Sequence, residues 1–137
     1  MSLKKVFVDT AGWMMMADSA DPEHQAAIRY RDHWLEEGGV LLSTDFVLDE
    51  TLTLLRLRLG IDAAERWWDQ VDSSTRVIWE WIDQERAEKG RRWFFKWRDK
   101  SFSFTDCTSF AVMKELRVQR AITSDRHFRQ AGFDIAP

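Results

Sequence analysis

The sequence predicts an α/β protein: a three-layer α/β/α sandwich with helices on both faces of a mostly parallel sheet of about five strands. Three observations carry this expectation. Short apolar, β-branched runs alternate with longer amphipathic segments along the whole chain, and that alternation requires crossover connections between parallel strands. The short runs are apolar almost throughout, as buried strands are. Asp or Pro stands before the longer segments and Gly after several of them, which marks helix starts and stops.

In chain order, "KKVFVD" is a buried strand at 4–8, and "TAGWMMMADSAD" is a short helix followed by a break. Asp21 and Pro22 open the next helix, Asp as the cap and Pro in the first helical position, and Gly38-Gly39 stop it. "VLLST" is the second strand. "DFVLDETLTLLRLRLG" is a helix that Asp45 can cap and Gly60 can end, and "DAAERWWDQVDS" is another, with Asp62 as its cap. "TRVIWEW" is the third strand. "DQERAEKGRRWFFKWRDK" is a long basic helix strained by Gly90, and "TDCTSFAVMKELR" is the helix after it. "QRAITSD" carries the fourth strand, "RHFRQAG" a short helical turn and "FDIAP" a terminal strand.

The 137 residues are one domain's worth, 1–137, and with 45% of them hydrophobic they can bury a core. A net charge of −3 does not announce a nucleic-acid binder. The lone cysteine cannot form an intramolecular disulfide, which fits a reducing cytoplasm. No apolar run reaches the roughly 18 residues of a membrane span, and "MSLKKVFVDT" has no signal-peptide core. A cytoplasmic protein without a membrane partner is therefore expected. The 8 tryptophans are expected in core and interface packing.

Four acids break the apolar pattern. Asp9 directly follows Val6-Phe7-Val8, at the carboxyl end of a strand, where such folds place ligands; the position fits a helix N-cap equally well. Glu50, at about 100° per residue on the helix 46–59, falls among Phe46, Val47, Leu54 and Leu57, whereas Asp49 falls on the solvated side. A Glu at the core's rim reaching water is the plainer alternative. Asp106 shares a stripe with Phe110 and Met113 and also lies in a first turn, where a capping acid is ordinary; Ser109, at i+3, is placed to orient it. Asp125 follows the strand "RAIT", where turn chemistry is the simpler explanation. Taken together, two acids end strands and two point inward from helices that begin at the same edge. Four carboxylates in one pocket would repel, at about 4 kcal/mol per pair 4 Å apart with an effective dielectric near 20. Some must hold protons, or a cation must sit among them. An all-carboxylate site suits Mg²⁺ or Mn²⁺; His24, His33 and His127 show no helical zinc-ligand spacing, and Cys107 reads as a small buried thiol.

The blocks "VFVDTAGW", "STDFVLDETLTLL", "FSFTDCTSFAVM" and "AITSDRHFRQAGFDIAP" resemble PIN-domain ribonucleases, specifically the VapC-like toxins of toxin–antitoxin pairs. The resemblance extends over essentially the whole chain. It implies a parallel sheet of order 3-2-1-4-5, metal-dependent endoribonuclease activity, an acidic quartet at Asp9, Glu50, Asp106 and Asp125, and bound Mg²⁺ or Mn²⁺. Asp9, Asp106 and Asp125 are then metal ligands, and Glu50 a ligand or the group that positions the attacking water. Thr10 and Ser124 match small hydroxyl positions near the metal and, with Arg126 and His127, are assigned to substrate. An RNA substrate, a cognate antitoxin and a homodimer are implied partners. Ser109 stands where some members carry another acid, which bears on a second metal.

Residues 86–100 hold seven Lys or Arg against two acids, a local +5 that leaves −8 for the rest of the chain. Trp93, Phe94, Phe95 and Trp97 interleave with these cations, as in single-strand RNA binders, although core aromatics beneath a solvated basic face are the commoner arrangement. Trp67 and Trp68 are adjacent and cannot face the same way, so one is available to an interface. Haloacid-dehalogenase and receiver phosphotransferases also place Asp after their first strand, but Thr10-Ala11 breaks the Asp-x-Asp of the former, and no acid pair with a distal Lys supports the latter. A catalytically silent RNA- or protein-binding module of the same fold is the remaining alternative.

Overall fold

The computed structural model describes residues 3–137; Met1 and Ser2, part of the stretch read for targeting, lie outside them. Five strands, β1 (Lys5–Val8), β2 (Val40–Thr44), β3 (Val77–Glu80), β4 (Arg120–Ile122) and β5 (Asp134–Ala136), form one sheet of order β3-β2-β1-β4-β5. Every pairing is parallel, as expected when each connection carries helix. The connections are α1 (Thr10–Ala17), α2 (His24–Glu36), α3 (Asp45–Leu59), α4 (Ile61–Ser73), α5 (Gln84–Lys96), α6 (Phe104–Glu115) and α7 (Arg126–Gln130).

Central β1 and β2 are buried almost throughout, whereas edge strand β3 is only half-buried. Two aromatic clusters fill the layers. Trp13 of α1 packs against Trp67 and Trp79, and Trp68 meets Trp79 edge-on. Of the adjacent pair, Trp67 is buried and Trp68 stays partly exposed. Phe110 of α6 contacts Phe102, Phe128 and Phe133, and Phe128 meets Phe7 of β1.

Local chemistry moved several helix starts. Asp21 accepts from the Glu23 N–H in a tight turn, so α2 begins at His24, two residues beyond Pro22. Thr44, not Asp45, caps α3 through its Oγ1 and the Val47 N–H; the Asp45 carboxylate instead accepts from Ile82 N at 2.7 Å, tying α3 to the segment after β3. Gly60 (φ 96°) both ends α3 and starts α4, so Asp62 falls inside the first turn of α4 and no side chain caps it. The basic helix stops at Lys96. Its Gly90 does not strain it but lets it approach α6: a Cβ there would lie 2.8 Å from Thr108 Cγ2.

Gly12 is tighter still, because a Cβ would fall 2.0 Å from the Ile122 carbonyl oxygen. Gly12→Ala must push α1 off β4. We expect it to lower the unfolding free energy by about 3 kcal/mol, the upper range for overpacking, as read by urea denaturation.

Candidate active site

Strand order reverses between β1 and β4, and the segments leaving their carboxyl ends diverge there. A cleft of about 510 Å³ opens at that edge, and all four acids, Asp9, Glu50, Asp106 and Asp125, line it. Thr10, Ser124 and His127 line it as well. A cleft of about 530 Å³ among α1, α2, α3 and α4 has mixed apolar and charged walls and contains none of these acids.

Helix capping holds three of the four. Asp9 is the N-cap of α1: its Oδ1 accepts from Gly12 N at 2.9 Å. Asp125 is the N-cap of α7 and accepts from His127 N at 2.9 Å. Asp106 completes a capping box with Ser103: its Oδ2 accepts from Ser103 N at 3.1 Å while Ser103 Oγ accepts from Asp106 N at 2.9 Å. Cap and pocket are therefore one arrangement, because a cap fixes the carboxylate's orientation without using all of its lone pairs. The positive ends of α1 and α6 also offset part of the crowded negative charge. Glu50 reaches in from α3. The residue as a whole is exposed, but its Oε1 accepts from Thr10 Oγ1 at 2.9 Å beside Asp9.

Electrostatics show the strain. Burial pushes the Asp9 carboxyl from 3.8 up to about 7, with Asp125 and Asp106 adding to the rise and the Gly12 N–H and Thr123 hydroxyl opposing it. Asp106 is raised by burial and then by Asp125, against the Ser103 N–H and His127. Glu50 is raised by burial of its carboxyl at the cleft wall and by its acidic neighbours, against the Thr10 hydroxyl. Cys107 is buried and its thiol is pushed up to about 11, so it serves packing.

His127 sits within this charge. Its Nδ1 is 3.2 Å from Asp106 Oδ2 and 3.1 Å from Asp125 Oδ1, yet this buried atom makes no well-aligned hydrogen bond. Its Nε2 lies 3.1 Å from Ser101 Oγ. One donor atom each from Asp106, Asp125 and His127 fall within 4.8 Å of one another. An orphaned imidazole nitrogen between two carboxylates is a donor set that fits a divalent cation. Spacing along the chain hid it, because the three come from two different elements.

Other expectations need correction. Ser109 is buried at the cleft, but the hydrogen bonds of Asp106 go to Ser103 instead. Leu57 is 75% exposed, so the apolar sector around Glu50 is narrower than helical spacing implied; Val47 and Leu54 remain on it at the cleft. Arg126 is exposed and does not line the cleft. Arg58 does, and it was missed although Glu50, Leu54 and Arg58 follow one another at i, i+4 and i+8.

Thr123 was missed as well. Its buried Oγ1 donates to Asp9 Oδ2 at 2.8 Å and accepts from Asp125 N at 2.9 Å, joining the two strand-end acids. Its only sequence signal is a hydroxyl at the end of the fourth strand. Thr123→Val keeps the shape and deletes both bonds. It should cut metal affinity about 10–100-fold, the usual effect of losing a group that orients a ligand, while Thr123→Ser retains it; metal titration by calorimetry reads the difference.

Residues 6–134 match the model of the PIN domain family. The chain belongs to the PIN domain family. This PIN domain is 34% identical over 128 residues to the 23S rRNA-specific endonuclease VapC20 of Mycobacterium tuberculosis, in both strain CDC 1551 / Oshkosh and strain ATCC 25618 / H37Rv. The match covers 93% of this chain and 95% of the relative. The crystal structure of Mycobacterium tuberculosis VapC20, a sarcin-ricin loop cleaving toxin, superposes with a TM-score of 0.86 at 33% identity, covering 96% of this PIN domain and 99% of that chain. The crystal structure of FitAcB from Neisseria gonorrhoeae shares the fold, with a TM-score of 0.68 at 16% identity over 96% of each chain. The VapC-like resemblance and the sheet order it implied are both borne out.

Proposed function

We propose that this PIN domain is a metal-dependent endoribonuclease acting as the toxin of a type II toxin–antitoxin pair. One observation carries the reading: Asp9, Glu50, Asp106 and Asp125, distant in sequence, line one cleft, where burial and acidic neighbours hold the carboxyls of Asp9, Glu50 and Asp106 above their ordinary pKa values. Asp106, Asp125 and His127, whose donor atoms fall within 4.8 Å of one another, would hold Mg²⁺ or Mn²⁺, and we assign Asp9, on the wall of the same cleft, as a further ligand. A divalent ion bound there supplies a Lewis acid that lowers the pKa of a coordinated water and offsets phosphate charge.

The chain's own groups do the remaining work. Glu50, its Oε1 fixed by Thr10, has a second carboxylate oxygen with which to orient the attacking water. Thr123 holds Asp9 and the backbone of Asp125 in register. Arg58 offers the cleft a guanidinium for a phosphate, and the Thr10 and Ser124 hydroxyls stand at its wall. Water adds to phosphorus, the P–O bond to the departing nucleotide breaks, and a proton passes to the departing oxygen.

Homology to the 23S rRNA endonuclease makes a structured RNA loop the first substrate class to test. A cognate antitoxin, a homodimer and a cytoplasmic location follow from the same reading; no helix among the described residues is long and apolar enough to cross a membrane. The test incubates purified protein with labelled RNA stem-loops, one of them of the sarcin-ricin type, in Mg²⁺, Mn²⁺ or EDTA. Discrete cuts in metal and none in EDTA support the reading. RNA bound but never cut in any metal, equally by protein and Asp9→Asn, overturns it in favour of a silent binding module.

A further inference from the structure

Of the four aromatics of α5 and its C-cap, three are not core. Only Trp93 packs inward, 5.4 Å from Phe110, while Phe94, Phe95 and Trp97 keep 39%, 52% and 40% of their surface open. Phe94 meets Phe95 at 5.2 Å and Phe104 at 6.0 Å, both edge-to-face, and Phe104 leans on Phe46 at 6.2 Å. The four rings form an unbroken row. Phe104 lies between Ser103 and Thr105, both of which line the acidic cleft, so the row starts at the edge of that cleft. Contiguous exposed apolar patches mark interaction sites.

The charges of the same segment say what it fits. Of the seven cations in 86–100, Arg86, Lys89, Arg91 and Lys100 pair with carboxylates. Arg92, Lys96 and Arg98 have no ion-pair partner among the described residues; Lys96 lies over the Trp97 ring instead. Two copies of this face would bring like charges together. A polyanion that carries flat rings would neutralise the one and cover the other.

We propose that Phe95, Phe94, Phe104 and Phe46 form a base-stacking platform for unpaired nucleotides next to the scissile phosphate, with Arg92, Lys96 and Arg98 meeting the backbone. The proposal rests on the endoribonuclease reading and gives it a specificity. Bases inside a duplex cannot lie on these rings, whereas splayed loop bases can, so the platform selects loops over stems.

The test compares two triple variants in the Asp9→Asn background with EDTA, so that nothing is cut. One carries Phe94→Leu, Phe95→Leu and Phe104→Leu; the other places Tyr at the same positions. The probes are an RNA stem-loop with 2-aminopurine in the loop and a blunt duplex of the same stem. Stacking is worth about 1–3 kcal/mol per base, so the Leu set should lose at least about tenfold in loop affinity together with the 2-aminopurine quench. The Tyr set should keep both, and duplex binding should change in neither. If the triple Leu protein does not melt cooperatively, Phe95→Leu, at the most exposed ring, takes its place. Loop binding and quench unchanged in the Leu protein overturn the platform. So does a Leu protein that changes from dimer to monomer in sedimentation with RNA binding intact, since the row is then an interface between copies. Quenching that persists in a parent protein that cuts no RNA in Mn²⁺ supports the platform and removes only the nuclease reading.

Discussion

Asp9→Asn will abolish metal-dependent RNA cleavage and leave the metal-free protein at least as stable as the parent at pH 8. The first half follows from the place proposed for Asp9 among the groups that would hold the metal. A Lewis-acid ion contributes several kcal/mol to the transition state, and about 1.4 kcal/mol is a decade in rate, so the loss should be at least about a hundredfold. The second half follows from burial. Asp9 is 6% exposed and its carboxyl is pushed up to about 7, so at pH 8 the metal-free fold carries an ionised group it would prefer neutral. An Asn side chain keeps the same cap: its oxygen can still accept from the Gly12 N–H, and its amide can donate to Thr123 Oγ1. Cleavage assays and EDTA melts on one preparation check both halves. An Asn variant that cuts like the parent, or that melts well below it in EDTA, removes Asp9 from the role assigned here.

The second large effect is on pH dependence. Between pH about 4 and 7 the folded, metal-free protein holds a proton on Asp9 that the unfolded chain has released, because the folded pKa stands near 7 against 3.8. That contribution is fully present below pH 4 and is lost as pH rises through 7. At 1.36 kcal/mol per unit it amounts to about 4 kcal/mol in all. Glu50 and Asp106, raised in the same direction, add to the same slope. Glu115 acts oppositely, held below its usual pKa by Arg86, but its contribution is complete by pH 5.5. In EDTA the melting temperature should therefore fall from pH 5.5 to pH 8. Mn²⁺ binds the ionised pocket, so its stabilising effect should grow over the same interval and level off above pH 7. A flat EDTA profile, or one that Asp9→Asn leaves unaltered, would dispose of the linkage.

How much of this was legible beforehand differs from residue to residue. The alternation of short apolar runs and amphipathic segments is a local signal, so every strand and helix was found. The four acids stood out because each interrupts an apolar pattern. Helix starts were harder, because Asp45, Asp62 and Asp21 each look like caps in isolation. The nearest competitor decided the outcome in each case: Thr44 for α3, the φ of Gly60 for α4, and a tight turn for α2. Thr123 and His127 could not be read as neighbours of Asp9 and Asp106, since only the β1–β4 pairing and the α6–α7 approach bring them together. The aromatics of α5 were misjudged for the same reason. Whether Phe94 faces the core or water depends on how α5 lies on α6, and Gly90 sets that through a contact with no local signature.

Because Asp9, Asp106 and Asp125 each secure the beginning of a helix as well as the chemistry proposed for them, mutations that silence this protein should divide into two kinds. Replacement by Asn keeps the architecture and would leave an inert but abundant protein, still able to engage whatever partner recognises the surface. Most other replacements disarm and unravel together, and quality control would clear them. In a population under pressure to lose the activity, Asn should therefore be over-represented at these positions among variants that still accumulate.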